Sequence, residues 1–246
     1  MHLAQELVDY IIDFLHDDPE TLIQASLVSR AWVGRTRTHL CESLKITSPK
    51  LSSSNPSCLT PLSGYVKTLH FTWSRDLANP SAVLDCFEQS EPHTLAIYSC
   101  ELRSLDEQTI QRCFANFPCA SITTLELHDV SPNRGSFLAL LSLFPNVDNL
   151  TISVNRWWAD KPGFGPLGGV SPPRLGGSFK FFDPPGQRFW GFHRNRLLRT
   201  MATLPLQFRT VSLNITEEYW EEASSFLNSC SKTVRMVFMG LPCRKP

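Results

Sequence analysis

The chain has 246 residues, of which 42% are hydrophobic and 19% charged, and its formal net charge is zero. These values are typical of a globular protein long enough to bury a sizeable core, and they exclude a disordered chain. A neutral chain gives no overall electrostatic reason to expect a nucleic acid as partner. It also contains no apolar run of eighteen residues that would predict a membrane span.

The amino-terminal residues differ from a secretory signal, because Glu6, Asp9 and Asp13 interrupt the apolar positions. We therefore expect a cytoplasmic or nuclear protein. In these reducing compartments, the eight cysteines are expected to be small buried hydrophobic residues rather than disulfide partners.

The first predicted element is a helix over residues 3–15 with a wide apolar stripe. At about 100° per residue, its apolar side chains fill an arc of roughly 200°. They are Leu3, Leu7, Val8, Tyr10, Ile11, Ile12, Phe14 and Leu15. A helix that packs on a single core needs a stripe of about 100°. The excess predicts that this helix packs against two bodies, one of which can be another chain.

Two further helical elements are predicted before residue 41. Asp18 is a typical N-cap and Pro19 is favoured at the first helical position, so the second helix is expected to begin there. Gly34 is expected to loosen the chain before a third element over residues 35–40. A unit of about forty residues has a small core, so we expect it to lean on the rest of the chain and on a partner.

Eight short segments of alternating apolar residues follow, at near-constant spacing. Aligned on one apolar position, their anchors are Leu44, Leu69, Leu95, Leu125, Leu150, Phe179, Val211 and Met236. This spacing and the pattern L-x-x-L-x-L-x-x-N/C-x-L are those of leucine-rich repeats. In one copy, Leu95, Ile97, Cys100 and Leu102 are predicted to face the core. The segments predict parallel strands joined by crossovers, and hence a curved α/β solenoid.

Several segments between these strands have helical patterns. Ser104 and Glu107 have the spacing of a capping box before one such segment. Residues 136–144, which are strongly apolar, and residues 191–204 are predicted to form two further helices, each followed by proline. Thr216 is expected to cap a helix whose first turn carries Glu217 and Glu218.

The segment 156–196 is the least regular part of the repeat region. Residues 156–199 contain eight basic and two acidic residues, and the segment is also rich in glycine and aromatic side chains. Arginine and tryptophan are common at interaction hot spots, so Trp158, Arg188 and Trp190 are candidate substrate-binding residues for an acidic partner. In the alternative interpretation, the aromatic residues fill repeat core positions and the glycine-rich stretch replaces a helix. Nucleic acid is not favoured by one basic segment in a neutral chain.

The sequence predicts no catalytic residue, metal site or cofactor site. The stretch GFGPLG (163–168) matches a dinucleotide-binding fingerprint, but it neither follows a strand nor begins a helix. The histidines are scattered singly and the cysteines lack the close pairing of zinc ligands. We therefore expect a protein that is not an enzyme.

Residues 3–45 resemble an F-box. The match is carried by Leu3, Glu6 and Leu7, by Ile11, Leu15 and Leu22, and by the stretch LVSRAW (27–32). Ala4 departs from the pattern, because the family usually has proline there. The whole layout is similar to fungal F-box proteins with leucine-rich-repeat-like carboxyl-terminal regions.

The resemblance implies two domains and a function. Residues 1–45 would form a three-helix F-box-like domain, and residues 46–246 a leucine-rich-repeat-like solenoid. F-box proteins are substrate-recognition subunits of cullin–RING ubiquitin ligases and dock on a Skp-type adaptor. The residues that match the adaptor-binding pattern are Leu3, Ala4, Leu7, Ile11, Leu22, Val28 and Trp32. The alternative is a repeat scaffold without ligase function, whose helical amino terminus only caps the solenoid.

Overall fold

The computed structural model describes residues 4–47, 56–73, 80–154, 175–181, 191–214 and 220–240, with the backbone alone described for residues 191–195. The chain begins with three helices: α1 (Gln5–Phe14), α2 (Pro19–Val28) and α3 (Arg30–Cys41). Eight strands then follow, with six further α-helices between them in the described residues. The strands are β1 (Ser43–Ile46), β2 (Thr68–Thr72), β3 (Thr94–Tyr98), β4 (Thr124–Val130), β5 (Asn149–Val154), β6 (Leu175–Phe181), β7 (Leu206–Asn214) and β8 (Met236–Gly240). The later helices are α4 (Thr60–Ser63), α5 (Pro80–Asp85), α6 (Glu107–Cys113), α7 (Arg134–Ser142), α8 (Gly191–Ala202) and α9 (Trp220–Ser229).

The eight strands form one parallel sheet in which spatial order follows chain order. The predicted anchor residues lie side by side in the sheet from β1 to β7. They are Leu44, Leu69, Leu95, Leu125, Leu150, Phe179 and Val211. The α/β class and the parallel sheet are therefore confirmed.

The predicted anchor of the last strand is wrong by one residue. Val237, and not Met236, pairs with Val211. All five residues of β8 are exposed, so its side chains do not alternate between a buried and an exposed face. Without that alternation, the sequence carries no signal that distinguishes the two registers.

A repeated backbone hydrogen-bond pattern keeps successive strands in register. Just before or at the start of a strand, two consecutive N–H groups donate to one carbonyl oxygen on the preceding repeat. Thr123 and Thr124 both donate to His93, at 2.9 and 3.0 Å, and the same arrangement joins β1 to β2, β2 to β3 and β4 to β5. Because the pattern is made by backbone atoms, it tolerates the irregular side-chain sequence of the repeats.

The hydrophobic side chains form two separate clusters. The larger one runs from Ile46 to Cys230 and combines the buried face of the sheet with the later helices. It includes Leu95, Cys100 and Leu102, which agrees with the inward positions predicted for that repeat. The smaller cluster lies within the first three helices and is built on Val8, Ile12 and Leu22. The boundary proposed at residue 45 stays a prediction.

The observed ends of the helices match the predicted ends in some places and differ from them in others. The side chain of Asp18 caps α2, with Pro19 at its first position, as predicted. The predicted box at Ser104 is wrong, because Asp106 caps α6 by accepting from the Thr109 N–H at 2.7 Å. Helix α3 begins at Arg30 and continues through Gly34, so the predicted start at residue 35 is also wrong. The predicted cap at Thr216 lies outside the described residues.

No helix in the described part of the chain is both long and apolar enough to span a membrane.

Candidate functional site

The wide apolar stripe of α1 divides into a buried half and an exposed half. Val8 and Ile12 are buried and pack on Leu22 of α2. On the other side, four large apolar side chains are exposed: Leu7, Tyr10, Ile11 and Phe14. At about 100° per residue, these four positions fall within an arc of about 100°. One helix thus carries two apolar faces, and the first three helices cover only one of them.

Helix α2 adds three more exposed apolar side chains, at Ile23, Leu27 and Val28. Its buried positions are Leu22 and Ala25. We call the seven exposed residues of α1 and α2 the apolar surface. Phe14 is 81% exposed and Leu27 is 75% exposed, which are high values for such side chains. Exposed apolar residues that share one face, as the four of α1 do, mark interaction sites in folded proteins, whereas single ones do not.

The apolar surface is concentrated in a short part of the chain. The described residues contain twelve exposed large hydrophobic side chains, and seven of them lie between Leu7 and Val28. The other five are Trp220 on α9 and four residues of β8, Met236–Met239. Exposure of large apolar side chains in the described residues is thus concentrated in α1 and α2.

A hydrogen-bonded ion pair holds α1 against α3. The carboxylate of Asp13 accepts from Nε and Nη2 of Arg35 and from Nε2 of His39, the last at 2.8 Å. The hydrogen bond from Arg35, followed by that from His39, lowers the pKa of Asp13 to about 2. The two partner residues lie 22 and 26 residues after Asp13 in the chain, so this contact fixes the tertiary arrangement of the helices.

Short side-chain caps set the directions of α2 and α3. Both carboxylate oxygens of Asp18 accept from Thr21, from its backbone N–H at 3.1 Å and from its hydroxyl at 2.6 Å. These hydrogen bonds to Thr21 lower the pKa of Asp18. At the next junction, Ser29 is extended and its hydroxyl accepts from the N–H of Ala31 at 3.3 Å. A single extended residue therefore separates the two helices and turns the chain back.

The predicted adaptor-binding residues occupy different environments. Leu7, Ile11 and Val28 belong to the apolar surface, and Ala4 is exposed at the start of α1 without a side-chain cap. Leu22 is only 1% exposed, and it packs in the small cluster because its side chain faces α1. Trp32 is half-buried against that cluster. Leu3 lies outside the described residues, as do the candidate substrate-binding residues Trp158, Arg188 and Trp190.

The sequence-based list of site residues omitted Tyr10, Phe14, Ile23 and Leu27, which the structure places on the apolar surface. The width of the α1 stripe contained this information for Tyr10 and Phe14, because an arc of 200° exceeds what one core can cover. No comparable signal marks Ile23 and Leu27, since the apolar residues of α2 are spread around several sides of the helix.

Most cysteines of the described residues are poorly suited to nucleophilic chemistry. The seven that lie in this part of the chain are free thiols, and most are buried or half-buried. Burial raises the pKa of Cys119 to about 12, and that of Cys100 further still. A thiol with a raised pKa is a poor nucleophile. Within the described residues, no group of three or more His, Cys, Asp or Glu side chains is placed to hold a metal ion.

The apolar surface is therefore the feature of the described residues that most needs a functional explanation. Neither a protein-family model nor a curated protein sequence matches this chain.

Proposed function

We propose that this protein is the substrate-recognition subunit of a cullin–RING ubiquitin ligase. In this proposal, the F-box-like residues 1–45 dock on a Skp-type adaptor, and through it on a cullin. The leucine-rich-repeat-like region, residues 46–246, binds a target protein. The protein itself performs no chemical step, and it raises the local concentration of target lysines near the ubiquitin-charged enzyme.

The observation that carries the proposal is the exposed apolar stripe of α1. Leu7 and Ile11 match the F-box pattern and are exposed in the structure. Burying one such side chain in an interface stabilises the complex by about 1.5–3 kcal/mol. The seven residues of the apolar surface therefore supply a reason for a partner chain to bind these helices.

The alternative function is that of a repeat scaffold whose helices only cap the sheet. In that case the apolar residues of α1 and α2 would be expected to pack against β1 or its neighbours. It is α3 that contacts β1, and the exposed residues of α1 and α2 have no such cover among the described elements. This arrangement favours docking of another protein over simple capping.

The experiment is co-purification of the full chain with the Skp-type adaptor of the same organism. The test variants are Leu7→Asp and Leu27→Asp, which place a charge on the apolar surface without touching the small cluster. Trp220→Asp is the matched control, because it makes the same kind of change at an exposed apolar residue on α9. We expect a stoichiometric complex with the native chain and the control, and none with the test variants.

Circular dichroism shows whether each variant is folded. A folded native chain that fails to bind the adaptor would contradict the ligase proposal. Equal binding by all four proteins would contradict the assignment of the docking site to the apolar surface.

A further inference from the structure

The outward face of the sheet carries a group of interacting polar side chains on β2, β3 and β4. In each of these strands, every second side chain points into the core, as those of Leu95 and Ile97 do in β3. The alternate positions point outward, and they bring four side chains together: His70, Tyr98, Glu126 and His128. We call these four residues the outer cluster. They are half-buried, so the cluster is in contact with solvent.

The outer cluster is held together by direct contacts between its members. The rings of Tyr98 and His128 are stacked, with centroids 4.6 Å apart and planes inclined by 14°. Nδ1 of His70 and the hydroxyl of Tyr98 are hydrogen-bonded at 3.3 Å. Oε2 of Glu126 is hydrogen-bonded to Nε2 of His128 at 3.0 Å. The side chains are therefore oriented before any ligand binds, which lowers the entropy lost on binding.

The backbone beneath the cluster is also unusual. Ser99 and Asp129, which directly follow Tyr98 and His128, both have a φ of +53°. They are the two non-glycine residues with positive φ in the described chain, and the Ser99 N–H donates to the carbonyl of His128 at 2.9 Å. Such conformations persist only where surrounding contacts impose them, and they concentrate at functional sites.

The chemistry of the cluster favours a cationic ligand. Oε2 of Glu126 is engaged by His128, whereas Oε1 has no hydrogen-bond partner within the described part of the chain. The Glu126 side chain is 32% exposed, and the phenol oxygen of Tyr98 offers a second acceptor in the same cluster. An oriented carboxylate in a cluster that also holds a phenol oxygen suits a guanidinium group, which has several donors in a fixed plane.

The part of the chain that carries the outer cluster has an excess of acidic residues. Residues 65–155 contain ten acidic and five basic residues. On the register row of Glu126, the lysines are Lys180, two strands away, and Lys45, three strands away. At about 4.8 Å per strand these lie roughly 10 and 14 Å from Glu126, where salt largely screens exposed charges. A phosphate group would meet the Glu126 carboxylate and is disfavoured here.

We propose that the outer cluster binds an arginine-bearing segment of another protein, with the guanidinium group against Glu126 and Tyr98. This inference rests on the proposed function only in identifying that segment as part of a ubiquitination target. The binding itself requires no adaptor.

The test uses the full chain and fluorescein-labelled decapeptides with a glycine–serine sequence and two central arginines. Matched peptides carry citrulline, lysine or glutamate at both positions, and citrulline keeps the shape of arginine while removing its charge. We expect the arginine peptide to bind at least tenfold more tightly than the citrulline peptide in fluorescence polarisation. The glutamate peptide is expected not to bind.

Three variants locate the site. Glu126→Gln is expected to weaken binding of the arginine peptide about tenfold, and Tyr98→Phe about threefold. The matched control is Glu88→Gln, which removes the same charge from an exposed position outside the cluster. It is expected to leave the dissociation constant within twofold of the native value.

The proposal is overturned if the arginine and citrulline peptides bind equally, if none of the peptides binds, or if Glu126→Gln and Glu88→Gln have the same effect. Co-purification of the Glu126→Gln variant with the adaptor separates the two proposals. Loss of arginine binding with adaptor binding retained supports the outer cluster as an independent site. Arginine binding by a native chain that does not bind the adaptor contradicts the ligase proposal alone.

Discussion

The carboxylate of Asp13 accepts hydrogen bonds from two nitrogens of Arg35, and this contact joins the first helix of the chain to the third. Val8 and Ile12 on the same helix pack on Leu22 of α2. The polar contact to α3 and the apolar contact to α2 together leave the remaining face of α1 exposed. The position of the apolar surface thus depends on both contacts.

Replacing Asp13 with asparagine is expected to lower the thermal stability of the helical unit at pH 7. The native carboxylate has its pKa lowered to about 2, below the ordinary value of 3.8, so the charged form is favoured in the folded state. The stability from this group is therefore complete above pH 4 and is lost as the pH falls from about 4 to 2. Thermal unfolding followed by circular dichroism should show a difference between native and variant that shrinks over this range.

Asp17→Asn is the control for this experiment, because Asp17 is exposed and its side chain pairs with the neighbouring His16. A surface pair of this kind contributes little to stability. If Asp13→Asn and Asp17→Asn shifted the unfolding temperature equally at pH 7, the contact between α1 and α3 would not have the role assigned to it.

Truncation of Leu22 is expected to be far more destabilising than truncation of Leu7. Leu22 is 1% exposed within the small cluster, and a buried Leu→Ala change costs about 2–5 kcal/mol. Leu7 is mostly exposed, so Leu7→Ala is expected to change the free energy of unfolding by no more than about 0.5 kcal/mol. Urea unfolding of both variants measures these values. Similar losses of stability would show that Leu7 is buried in the folded protein.

Gly177→Ala is expected to disrupt the junction between β5 and β6. Gly177 has a φ of +66°, and a Cβ atom added there would clash with the backbone oxygen of Asp148. That backbone oxygen also accepts from the N–H of Ser178 at 2.6 Å, so it cannot move away without loss of the hydrogen bond. We expect a loss of about 2 kcal/mol or more in the free energy of unfolding.

Gly176→Ala provides a neighbouring control with the same change in composition. Its added Cβ would have its nearest neighbour at 3.8 Å, an ordinary contact distance. Chemical denaturation of the two variants should therefore give clearly different midpoints. Equal midpoints would mean that the backbone at Gly177 does not have this conformation in solution.

The cysteines are expected to react with a thiol reagent in the order of their burial. Among the seven cysteines of the described residues, Cys58 is exposed and should be alkylated first in the native protein at pH 8. Cys100 and Cys119 should be alkylated last, because burial both limits access and raises the pKa of each thiol. Mass spectrometry of digested samples over time gives the order directly. Early modification of Cys100 would indicate that the region after β3 opens in solution.

The sequence predicted the sheet well because burial of one face imposes a regular pattern. Leu69, Leu95 and Leu125 lie in the core, and each is preceded by a half-buried threonine. The register follows from that alternation. The prediction failed at Met236, where both faces are exposed and no alternation exists.

The candidate site was harder to predict than the fold. The apolar stripe of α1 indicated two packing partners, but it did not show which residues face which partner. Leu22 matched the family pattern as well as Leu7 did, yet one is buried and the other exposed. The outer cluster was not predicted at all, because His70, Tyr98 and His128 come from three separate strands and meet only through the register of the sheet.

The order of the strands has a consequence for how the chain folds and for how far the loss of stability caused by a substitution extends along the sheet. Each strand pairs only with the strands before and after it in sequence. Most contacts therefore join residues within about one repeat of each other, and pairing at any point can extend to the next strand without a long loop being closed first. A substitution in β7 should consequently weaken β6 and β8 while amide protection in β2 and β3 stays close to native.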